Sequence, residues 1–218
     1  MTAERIEPFQ CFGELRRLVR RTAPEERCEL CGAAVGAQHE HLLEPRKRQL
    51  VCACQACAIL FSGQSGQRYR RVPSRIRFLA GFRLTDAQWD SLLIPINVAF
   101  FFRNSVTGKM MAMYPSPAGA TESLLPLETW EQIAAENPAL QSMEADVEAL
   151  LVNRLGAERG FPRNQYFLLP IDQCFTLVGL VRTHWRGLSG GDELWQELAG
   201  YFAVLTARAD FAGERSDA

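Results

Sequence analysis

Apolar positions recur at helical spacing in several stretches of the chain. Phe9, Phe12, Leu15, Leu18 and Val19 predict a helix over 8–22, with Arg16, Arg17, Arg20 and Arg21 on its other face. From Ile171, the set Cys174, Phe175, Val178, Val181 and Trp185 predicts another. Trp195, Leu198, Phe202 and Leu205 place one face of a further helix over 192–207. Thr85-Asp86-Ala87-Gln88 reads as a capping box that opens a helix through Trp89 and Leu92. Leu127 to Glu136 is helical until Asn137-Pro138 stops it.

Between these lie runs of strand character. Asn97 to Phe102 and Lys109 to Tyr114 flank Asn104-Ser105-Val106-Thr107-Gly108, a hairpin turn by composition. Val147 to Asn153 and Gln165 to Leu169 form a second pair across a glycine-bearing loop. Arginine and apolar residues alternate from 75 to 79, as in a half-buried strand with a basic outer face. These runs give at least four strands, antiparallel by their hairpin connections, with the last two helices on one face of the sheet. The expected fold class is α+β: an N-terminal helical arm at 1–24, a small cysteine module at 25–62, an antiparallel-sheet domain with packed helices at 63–212, and a loose tail at 213–218.

The cysteines change this picture most. Cys28-Glu29-Leu30-Cys31-Gly32 is answered by Cys54-Gln55-Ala56-Cys57, with 22 residues between the two pairs. A C-x-x-C turn aims two thiolates at one ion, and two such turns complete a four-sulfur shell that suits zinc. Gly32 permits the turn that directs backbone N–H groups at sulfur. His41-Leu42-Leu43 and Gln49-Leu50-Val51-Cys52 read as a hairpin with Glu44-Pro45-Arg46-Lys47-Arg48 at its tip, and the second pair opens a short apolar helix. Knuckle, hairpin and ligand-bearing helix resemble a treble-clef zinc finger. The metal ligands expected are therefore Cys28, Cys31, Cys54 and Cys57. Iron is the less favoured occupant, because the rubredoxin-like glycine follows the first pair only and Ala58 follows the second.

The same layout occurs in HNH-type endonucleases, but here Arg48 and Gln49 occupy the hairpin and Ala58 stands where a final histidine would be. A catalytic ion would lack its ligand, so nuclease chemistry is not expected. His39 and His41 read as solvated hairpin residues, with a role as substitute ligands as the alternative. Cys52 reads as a buried strand residue or an alternative ligand. Cys11 and Cys174 read as core thiols.

Composition adds bounds. At 218 residues, 47% hydrophobic and 22% charged, the chain has the make-up of an ordinary globular protein. No run is apolar enough to span a bilayer, and Met1 to Arg5 lacks a signal pattern, so a cytoplasmic protein with reduced thiols is expected. The first 83 residues carry 15 Lys and Arg against 8 Asp and Glu, the remainder 9 against 17. The basic half can face nucleic acid, an acidic partner or its own acidic half. Tyr114 to Ser123, rich in small and hydroxyl residues, and the glycine-bearing His184 to Asp192 are candidate ligand loops, with a structural role as the favoured reading of each. Neither matches a phosphate-binding fingerprint, and no catalytic set is legible.

Taken together, Arg27 to Phe61, Pro115 to Leu125, Val147 to Arg154 and Val181 to Asp192 resemble an uncharacterised bacterial family associated with nickel–iron hydrogenase gene clusters. The reading that fits the closed cysteine site is a non-enzymatic accessory protein, and the resemblance implies that its partner is a hydrogenase subunit or maturation factor. The alternatives are a nucleic-acid-binding regulator that uses the basic module and the Arg68 to Arg83 strip, and a metal-linked electron carrier.

Overall fold

A computed structural model describes residues 26–62, 68–124, 126–156, 159–161, 163–187 and 189–212. The expected helix over 8–22, Cys11 and the tail from 213 lie outside the described residues.

Ten strands and five α-helices are present among them. The strands are β1 (Glu40–Glu44), β2 (Gln49–Ala53), β3 (Arg70–Arg71), β4 (Arg77–Leu79), β5 (Val98–Arg103), β6 (Met110–Ser116), β7 (Gly119–Ser123), β8 (Glu148–Asn153), β9 (Gln165–Pro170) and β10 (Asp210–Ala212). The helices are α1 (Gln55–Phe61), α2 (Asp86–Ser91), α3 (Leu127–Glu136), α4 (Ile171–His184) and α5 (Gly191–Arg208). Strands β2-β1-β3 make a small antiparallel sheet. The remainder form a seven-stranded sheet in the order β10-β4-β9-β8-β5-β6-β7, antiparallel except where β10 runs parallel to β4.

The large sheet is apolar on both faces, which the period-2 alternation of side chains accounts for. On β5, Val98, Phe100 and Phe102 enter one core while Ala99 and Phe101 enter the other; on β9, Phe167 and Leu169 oppose Tyr166 and Leu168. Val178, Leu198 and Phe202 of α4 and α5 close the first core, as expected from their spacing, with Leu177 beside them. Trp89 of α2 and Trp130 and Ile133 of α3 close the second. Central β8 is buried along its whole length. The sheet is thus covered by helices on both sides, α4 and α5 on one as expected and α2 and α3 on the other.

Local signals explain the helix ends. Thr85 accepts from the Gln88 N–H while the Gln88 side chain accepts from the Thr85 N–H, the reciprocal box that the sequence predicts. Asn137 ends α3 and is buried. Its amide donates to Arg83 O and Ile133 O and accepts from the Arg83 N–H, fastening the helix end to the segment after β4.

Tyr114 to Ser123 is not an open loop. Tyr114 pairs with Thr121 and Ser116 with Gly119, so the stretch is a tight hairpin in which Pro117 and Ala118 alone form the turn. The Ser116 hydroxyl is spent on Gly119 O and the Thr121 hydroxyl. No helix of the described residues is long and apolar enough to cross a membrane.

Candidate metal centre

The first cysteine pair sits in a knuckle closed by backbone bonds, from the Gly32 N–H to Cys28 O and from the Cys28 N–H to Ala33 O, both 2.8 Å. Gly32 has φ +77°, a conformation that a side chain disfavours and the turn requires. β1 and β2 then carry the chain out and back, pairing Glu40 with Ala53 through Glu44 with Gln49. Cys54 caps α1 and accepts from the Cys57 N–H at 3.5 Å, which places the second pair on the first turn of the helix. Two bonds between Glu29 and Cys52 hold knuckle and hairpin together, from the Glu29 N–H to Cys52 O at 2.9 Å and from the Cys52 N–H to the Glu29 carboxylate at 2.9 Å.

This geometry gathers the thiols of Cys28, Cys31, Cys54 and Cys57 within 4.8 Å of one another. Cys31 Sγ and Cys54 Sγ are 3.7 Å apart. A tetrahedral shell with metal–sulfur bonds of about 2.3 Å has sulfur–sulfur edges of about 3.8 Å, so the donor set fits a metal ion of that kind. Cys28 and Cys57 are buried and Cys31 is exposed, leaving one edge of the cluster at the surface. Leu42, Ala53 and Ala58 pack against it from inside.

The sulfurs are electrostatically unequal. Burial raises the Cys28 thiol, but N–H groups of Cys54, Cys31 and Leu30 outweigh it and bring the group down to about 6. Burial pushes Cys57 up, and hydrogen bonds among the four thiols hold its proton. A bound cation inverts this balance, since it is the thiolate that ligates. All four cysteines named from the sequence therefore belong to one cluster that can hold a metal ion.

His39 and His41 are not free hairpin side chains; His39 is buried, and His41 is partly exposed but hydrogen-bonded. The His39 side chain is only 7% exposed, and its Nδ1 donates to Gly36 O at 2.8 Å. His41 Nδ1 donates to the Asp172 carboxylate at 2.8 Å, a partner 131 residues away that no local pattern discloses. That bond is also the main reason why the His41 pKa is raised. Cys52 is half-buried, and burial raises its thiol. Cys174 lies in the main core, as expected.

The basic strip is internally neutralised in part. Arg68 pairs with Glu44 at 3.0 Å, Arg70 with Asp146 at 3.2 Å, Arg71 with Glu40 at 2.6 Å and Arg75 with Asp210 at 3.5 Å. In the His184 to Asp192 connection, His184 donates to Glu193 and the Arg186 guanidinium donates to Thr183 O and Trp185 O.

The model of a family described as "Family of unknown function (DUF5947)" matches residues 27–209. No curated protein matches and no solved structure matches. The matched span takes in the four-cysteine cluster, the small sheet and all of the large sheet but β10, and the chain belongs to that family.

Proposed function

We propose that this member of the DUF5947 family is a non-enzymatic zinc-binding accessory protein, in which a treble-clef-like finger is a structural clamp and a docking surface for another protein. Four thiolates close the shell, so no position is left for substrate or water, and the site is redox-silent with zinc. A segment this small gains its folding energy from the metal. The hydrogenase subunit or maturation factor implied by the family resemblance is the partner to test first, in the reducing cytoplasm.

The observation that carries this reading is the outer face of α1. The helix begins on Cys54 and Cys57 and buries Cys57 and Ala58, yet Ile59, Leu60 and Phe61 are 62%, 69% and 45% exposed. Three adjacent large apolar side chains on a metal-pinned helix suit a protein partner. The pairing of Arg68, Arg70, Arg71 and Arg75 with acids of the same chain leaves less cationic surface for a phosphate backbone.

The test is calorimetric titration of the full chain with a purified hydrogenase subunit or maturation factor at two salt concentrations. Binding that survives 0.5 M salt, estimated to suppress most phosphate contacts, and weakens about tenfold or more in Leu60→Asp supports the reading. Binding to duplex DNA that falls steeply with salt contradicts it.

A further inference from the structure

The hairpin has a second face. Leu42 and Ala53 pack toward the four-cysteine cluster, whereas Leu43 joins the main core. His41 and Cys52 are direct cross-strand partners, and strand alternation puts them on the Leu43 side, toward α4. His39 lies two residues before His41. We propose that His39, His41 and Cys52 form a second metal site, distinct from the four cysteines. It takes a transition-metal dication of the zinc class through one nitrogen of each imidazole and the Cys52 thiolate, with a fourth position open.

Three observations carry this. One nitrogen of each ring and Cys52 Sγ lie within 4.8 Å of one another, so modest side-chain closure reaches the separations of about 3.3–3.8 Å in a loaded tetrahedral site. Both Nδ1 atoms donate to groups that only accept, Gly36 O and the Asp172 carboxylate, each at 2.8 Å. Glu26 adds a second carboxylate, 3.3 Å from His39 Nδ1. In each neutral ring the proton is thereby held on Nδ1 and Nε2 keeps its lone pair, the arrangement by which a carbonyl or carboxylate orients a metal-ligating histidine. Finally, His39 Nε2 is buried and has no hydrogen-bond partner among the described residues. A buried ring nitrogen without a partner is costly, and a metal ion would satisfy it.

Two imidazoles and one thiolate make a borderline donor set, which suits zinc or cobalt(II) and disfavours magnesium or calcium. The His41 side chain is 29% exposed, which leaves an approach from solvent and room for water or a ligand atom at the fourth position. Asp172 acts as a positioning residue, through His41.

This site does not rest on the reading of the four cysteines, and the test separates the two. The full chain is equilibrated with excess zinc under a non-thiol reductant, freed of unbound ion and assayed for metal per chain. Two equivalents in the wild type, falling to one in Cys52→Ala and in His39→Asn, support the second site; circular dichroism checks that each variant is folded. Asp172→Asn, which keeps the shape of the side chain, should weaken the second equivalent about 10- to 100-fold. One equivalent in the wild type that Cys52→Ala loses and Cys28→Ser keeps also supports it, and places the failure at the four cysteines. Equal loading of wild type, Cys52→Ala and His39→Asn overturns it.

Discussion

Asp172, in the first turn of α4, accepts a 2.8 Å hydrogen bond from His41 on β1, across 131 residues of chain. It fastens the cysteine-bearing hairpin to the seven-stranded sheet and its helices. Asp172→Ala should therefore destabilise the protein by about 1–2 kcal/mol, a charged hydrogen bond discounted for partial exposure. Chemical denaturation measures the total. Faster amide exchange in β1 and β2, with β8 unchanged, would localise it.

Gly190 has φ +89°, and a Cβ there would meet Leu194 Cδ2 at 2.7 Å, with Trp195 and Trp185 close behind. Gly191 has φ +78° but its nearest neighbour to such an atom is Arg186 Cβ at 3.5 Å. Gly190→Ala should cost about 2–4 kcal/mol through strain and overpacking together, and Gly191→Ala about 1 kcal/mol through strain alone. Equal losses in urea denaturation would contradict this account of the α4–α5 connection.

The Arg68 guanidinium bonded to Glu44 holds that carboxyl below its ordinary value near 4.5. A lowered folded-state pKa contributes stability that is present above the unfolded value and lost as pH falls through the folded one. Glu44→Gln should therefore lower the denaturation midpoint at pH 7 and converge with wild type near pH 3.

Much of the large sheet was legible because its signals are local. The Asn104 to Gly108 turn between β5 and β6, the Thr85–Gln88 box and the two C-x-x-C pairs each act within a few residues. What escaped notice was non-local. His41 looks like a solvated strand end until α4 brings Asp172 to it. Two-residue β3 and parallel β10 have too little sequence to show a period, and the Trp89 and Trp130 layer is defined only by the sheet that it covers. Tyr114 to Ser123 has the composition of a loop because proline and serine favour turns, yet Pro115 sits in β6 and pairs with Ala120.

Metal removal should act locally. A strong chelator is expected to raise amide exchange at Gly32 and Cys57, whose N–H groups close the knuckle and cap α1, while Leu150 and Leu168 in the middle of the large sheet stay protected. Loss of protection throughout would mean that the metal supports the whole fold.

The most direct test of the central claim is elemental analysis, with an absorption spectrum, of the full chain purified without added metal, beside Cys28→Ser and Cys57→Ser. The account predicts colourless protein that contains zinc, with one equivalent fewer in each variant. Iron with visible thiolate charge-transfer bands, or the same metal content in all three proteins, would contradict it.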